Sequence, residues 1–67
     1  LIDALTRIIA DGVAAGELSR TVRPPELASV VVAVVQGGYV LARAQGETAP
    51  FATAIRGAIY LLRAVAI

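Results

Sequence analysis

Apolar residues recur along this chain at helical spacing in three separate stretches. From Leu1 to Ala15, at about 100° per residue, Ile8, Leu1, Gly12, Leu5, Ile9, Ile2 and Val13 crowd into an arc of about 140°. Asp3, Arg7 and Asp11 lie opposite at successive steps of four, a spacing that suits ion pairs on a solvated face. Gly16 can take positive φ and close this helix. Glu17 to Arg23 reads as a polar connection, and Pro24-Pro25, with φ already near the helical value, opens a second helix that runs to about Gln45. A short link, Gly46 to Ala49, precedes Pro50, which opens a third. In that third helix Phe51, Ile55, Leu62, Ala58, Ile59, Val65, Ala54, Leu61 and Ala66 span about 160°, with Thr53, Arg56, Tyr60 and Arg63 opposite. The predicted fold is all-α: helices over about 1–15, 24–45 and 50–66, the last two forming an antiparallel hairpin through their short link.

The middle stretch is the unusual one. Its polar side holds Glu26, Ser29, Gln36 and Arg43, while apolar and small residues from Gly37 round to Val32 sweep an arc of about 220°. A helix lying on a core from one side needs a stripe only somewhat wider than ~100°, so this one must be covered from two sides. Five valines (Val30, Val31, Val32, Val34, Val35) would also suit a strand, with a hairpin pivoting at Gly37-Gly38. That alternative fails for lack of polar alternation on either side. The uncharged run from Leu27 to Ala42 is interrupted by Ser29, Gln36, Gly37 and Gly38, and at 16 residues it falls short of the roughly 18–20 of a membrane span. The start of the chain lacks the pattern of a signal peptide, and no membrane partner is expected.

Composition removes most chemistry. The six basic residues are all Arg, there are five acids, and the net charge of +1 gives no basic face for nucleic acid. Cys, His, Lys, Met, Trp and Asn are all missing. Ser19 and Ser29 have no His or Lys to activate them. The acids are scattered, and no loop of the calcium-binding type is present. No catalytic residue, metal site or cofactor is expected, and the chain does not read as an enzyme.

With 67 residues, 58% of them hydrophobic, the chain is one domain at most and reads as a piece of one. Leu1 is not an initiator Met, and the stretch Ala64 to Ile67 ends without a polar tail, so both ends read as cuts through a longer chain. Below about 70–80 residues a core rarely supplies more than a few kcal/mol without a staple or partner. Gly37, Gly38, Ala42, Ala54 and Ala58 place small residues on the apolar faces of the last two helices, where another backbone can come close. The simplest solution is self-association of two hairpins into a four-helix bundle about a two-fold axis.

Three phrases occur in order: Asp11-Gly12-Val13-Ala14-Ala15-Gly16-Glu17-Leu18, Pro24-Pro25-Glu26-Leu27-Ala28, and Gln36-Gly37-Gly38-Tyr39-Val40-Leu41-Ala42-Arg43. Together they resemble the C-terminal regulatory domain of TetR-family transcription regulators, in which a helix ending in a GxxxGE phrase leads through a polar turn to a Pro-Glu-Leu-Ala helix start. The specificity lies in the ordered set, which covers almost the whole chain. Arg23 is one departure, since such sequences often carry an acid before the proline. The resemblance implies a cytoplasmic homodimeric regulator, usually a repressor. Its all-helical C-terminal domain binds a small apolar effector and dimerises through its last two helices. Operator DNA would be bound only by an N-terminal helix-turn-helix absent from residues 1–67. On that basis the expected dimer interface is Val31, Val35, Gly38 and Ala42 of the middle helix with Ala54, Ala58, Leu61 and Val65 of the last. Phe51, Ile55 and Leu62 are expected to face inward within the protomer, and Ile9, Val13, Val30 and Val34 are the expected effector-pocket walls. A small homo-oligomeric interaction or scaffold module without a DNA-binding role would show the same helical pattern.

Overall fold

A computed structural model describes all 67 residues, and it is helical apart from two connections and the chain ends. The three helices are α1 (Ile2–Ala14), α2 (Pro24–Gln45) and α3 (Ala49–Val65). Each boundary has a local cause. Gly16 (φ 77°) and Gly46 (φ 66°) take the left-handed conformation that residues with a Cβ avoid. Around each, the chain closes with a paired bond pattern: Glu17 N–H donates to the Gly12 carbonyl and Gly16 N–H to that of Val13. Glu47 N–H likewise reaches Ala42 and Gly46 N–H reaches Arg43, so both helices end in the same glycine-dependent motif. Helix α2 begins at Pro24 after an extended Arg23, and the missing N–H of a first-turn proline leaves nothing unpaired.

Helix α2 is the spine. Both α1 and α3 pack along it, and α1 and α3 do not meet as helices. The contacts are made by small side chains: of the four buried residues, Ala28, Gly38 and Ala58 are small, and only Ile9 is large. At Gly38 the hairpin is at its tightest, because an added Cβ would collide with the Ala54 methyl and stand 3.1 Å from the Pro50 carbonyl oxygen. Close backbone approach between α2 and α3 is what this glycine provides.

The connection after α1 is ordered by main-chain bonds. Leu18 folds its side chain over Gly12, and Leu18 pairs with Ala66 in a single antiparallel bridge. Asp3, Arg7 and Asp11 stand exposed and unpaired on a solvated face of α1, as their pattern suggests. The single ion pair is the exposed Arg23–Glu26 contact at 3.5 Å, spaced i,i+3 across the start of α2. Water screens such surface charges, and ordering a long Arg side chain costs entropy, so a favourable spacing alone does not hold α1's charges together.

Candidate dimerisation and effector surfaces

The unit leaves an unusual amount of surface uncovered. A compact monomer of this mass would expose about 4000 Å², whereas this chain exposes 4758 Å². The excess is close to the ~800 Å² that one partner contributes to an interface of standard size. Away from the chain ends, exposed large apolar side chains fall on two flanks of the α2–α3 hairpin.

The first flank lies on the side where α1 docks. Val31, Val32, Val35 and Gln36 of α2 share a hollow with Leu1 and Leu5 of α1. A second hollow of about 480 Å³ is walled by Leu5, Ile8, Ile9 and Gly12 of α1, by Leu18 of the connection, and by Leu62 of α3. Phe51, Ile55 and Ile59 continue the Leu62 side of α3 at helical spacing, but α1 does not cover them, and each remains more than a third exposed. Phe51 and Ile55 were expected inside the protomer. They stand on its open α1 side instead, because α1 is shorter than the hairpin it leans on.

The second flank faces the other way. Val30 (46% exposed) and Leu41 (53%) of α2 fall on one side of that helix with Gly37, and on the antiparallel α3 the same side carries Gly57 and Leu61. Neither Gly37 nor Gly57 has any atom of this chain over it. Val30 also borders a shallow hollow with Leu27, Val65 and Val22. No polar side chain interrupts the middle of this face.

The residues singled out from the sequence are therefore distributed. Gly38, Ala54 and Ala58 sit in the seam between α2 and α3 of one chain. Val31 and Val35 face α1. Leu61 lies on the free far flank, and Val65 borders the hollow beside Val30. Ala42 is half-buried. Of the expected pocket walls, Ile9 lines the α1 hollow and Val30 the separate one on the far flank, while Val13 and Val34 are half-buried and line neither. Val30, Leu41, Gly37 and Gly57 were missed as members of one face. The wheel marks the whole arc of α2 as apolar, but the division of that arc among neighbours depends on the register between helices. The unoccupied glycines were the available signal.

Polar features on α2 and α3 are confined to the outer surface. Arg43 donates to the Tyr39 hydroxyl at 3.2 Å and lies 5.8 Å from the centre of its ring, and Arg56 donates to the Thr53 hydroxyl at 3.3 Å. No group of three or more acids comes together at a spacing that could hold a metal ion. Helix α2, with 22 residues and a mean hydropathy of 1.6 over its most apolar window, is long and apolar enough to cross a membrane. The uncharged run alone had seemed too short, and the helix exceeds it because Pro24 to Glu26 and Arg43 to Gln45 extend it at both ends.

This arrangement has a counterpart among known families. Residues 2–58 match the family described as tetracyclin repressor-like, C-terminal domain. The chain belongs to that family. All of α1 and α2, both glycine-closed helix ends and the first part of α3 lie within the match, while Ile59, Leu61, Leu62 and Val65 lie beyond it. No curated protein and no solved structure gives a significant match. As a TetR-type C-terminal domain, the chain is part of a transcription regulator, and the role typical of such domains is dimerisation and ligand binding rather than catalysis.

Proposed function

We propose that these 67 residues are the dimerising and small-molecule-sensing part of a TetR-type regulator that acts as a cytoplasmic repressor. The DNA-reading helix-turn-helix belongs to a segment outside them. The observation that carries the reading is the far flank of the α2–α3 hairpin: Val30, Leu41 and Leu61 exposed around two glycines with open space above them. Two such flanks facing each other across a two-fold axis form a four-helix bundle, and the glycines admit close approach of the partner's helices. On this reading the interface consists of Leu41, Gly37, Gly57 and Leu61, and the seam residues Gly38 and Ala58 belong to the protomer's own core. The effector is a small, mainly apolar molecule, and the hollow between Ile9, Leu18 and Leu62 is its site, since walls that are mostly apolar bury such a ligand while the two carboxylates that also line the hollow, Asp11 and Glu17, can orient it.

Light scattering tests the dimer. The unsubstituted protein is expected at twice the protomer mass and Leu41→Glu at the protomer mass, because a charge in a closed apolar seam is unpaired and desolvated. A Leu41→Glu protein that stays dimeric would remove the far flank from the interface. Operator binding by the intact regulator, with none by residues 1–67 alone, tests the division of labour.

A further inference from the structure

Two of the three helices carry an arginine in the last turn, Arg43 in α2 and Arg63 in α3, and α1 does not. The C-terminal end of a helix bears a partial negative charge, which a basic side chain there offsets. The last turn of α1 holds Asp11 instead. Glu17 follows in the glycine-closed turn, its N–H donating to the Gly12 carbonyl at 2.9 Å. The negative end of α1 and both carboxylates therefore meet at one place, the hollow of about 480 Å³ walled by Leu5, Ile8, Ile9, Leu18 and Leu62. No basic side chain lines it. Arg7, one turn before Asp11, is exposed and makes no ion pair with it. Arg63 follows Leu62 but stands about 100° from it around α3.

We propose that this hollow takes an apolar organic cation. An alkyl or aryl body lies against Ile8, Ile9, Leu18 and Leu62, and an ammonium-type charge sits at Asp11 and Glu17. The assignment rests on the hollow being the effector site and adds the sign of the ligand's charge. The apolar body gains by removing wall surface from water, above all that of Ile8, which keeps 66% of its surface exposed. The charged head supplies the counter-ion that α2 and α3 draw from their own last turns and α1 lacks. Both carboxylates are exposed, so pairing with a ligand costs them little hydration. An anion with the same body would meet two like charges and the negative end of a helix.

Octyltrimethylammonium, octanol and octanoate carry one chain with a positive, a neutral and a negative head, and at concentrations where each is monomeric they test the sign. Amide shifts resolved by residue locate each probe on the unsubstituted protein, and their titration gives its affinity. Octyltrimethylammonium is expected to shift Gly12, Leu18 and Leu62 and to bind about 5- to 30-fold more tightly than octanoate, with octanol between, since each exposed ion pair contributes modestly and the anion is repelled by a similar amount. Added salt is expected to narrow that gap. Asp11→Asn combined with Glu17→Gln changes two exposed positions, leaves the apolar walls in place, and is expected to keep the helical signal while removing most of the preference. Octanoate binding as tightly as octyltrimethylammonium, or a preference that survives the double substitution, would overturn the cationic ligand and leave the hollow as an effector site. Shifts confined to Gly37, Leu41 and Leu61, or no shift at Gly12, Leu18 and Leu62 with any of the three probes, would overturn the effector site along with it.

Discussion

Adjacent glycines in α2 have opposite environments, and substitution separates them. Gly38 faces α3, where an added methyl meets Ala54 and the Pro50 carbonyl. Gly38→Ala must push the two helices apart, and overpacking of this kind costs about 1–3 kcal/mol, read as a lower midpoint in chemical denaturation. Gly37 has nothing within reach, so in a monomeric Leu41→Glu background Gly37→Ala is expected to stabilise by about 0.5–1 kcal/mol through helix propensity. Gly46 is a third case. Its φ of 66° is left-handed, which glycine adopts freely and alanine only under strain, and Gly46→Ala is expected to cost about 1 kcal/mol or more at the turn into α3. The sequence showed glycines at all three positions. It placed Gly46 at the start of a short link without showing its left-handed backbone, and Gly37 and Gly38 looked alike until the register of α3 on α2 was known.

At the level of elements, the three helices and their ends were legible because each is closed by local chemistry: Gly16, Pro24-Pro25, Gly46 and Pro50 act within a few residues of themselves. The docking of α1 was not, since it depends on which part of a 220° apolar arc each neighbour takes. Ile9 carries that docking. It is the one large buried side chain of the unit, 3% exposed. Truncating a buried Ile costs about 2–5 kcal/mol, a large share of what so small a core supplies. Ile9→Ala is therefore expected to release α1 while the α2–α3 hairpin, which has its own seam at Gly38 and Ala58, retains its helical signal. Amide exchange resolved by residue measures this directly: α1 protection falls first, and equal loss in α1 and α3 would show that the helices fold as one body.

For the whole molecule, exposed apolar surface and stability are one problem. Four buried residues make a meagre core, and the surface exceeds that of a compact monomer by about the area a partner would cover. If the far flank is that covered area, folding and association are linked by mass action, and the melting midpoint depends on protein concentration. A hundredfold rise in concentration favours a dimer over its separated chains by about 2.7 kcal/mol, which for units of this size raises the midpoint by several degrees. Leu41→Glu is expected to abolish that dependence, because the charged flank no longer pairs and unfolding becomes a one-chain event. Ile59→Glu, on the α1 side of α3 at similar exposure, is expected to preserve it. Calorimetry across that concentration range distinguishes the two faces of a single hairpin. A midpoint that moves with concentration in Leu41→Glu and not in Ile59→Glu would assign the dimer to the α1 side and leave the far flank, with its two open glycines, without a partner.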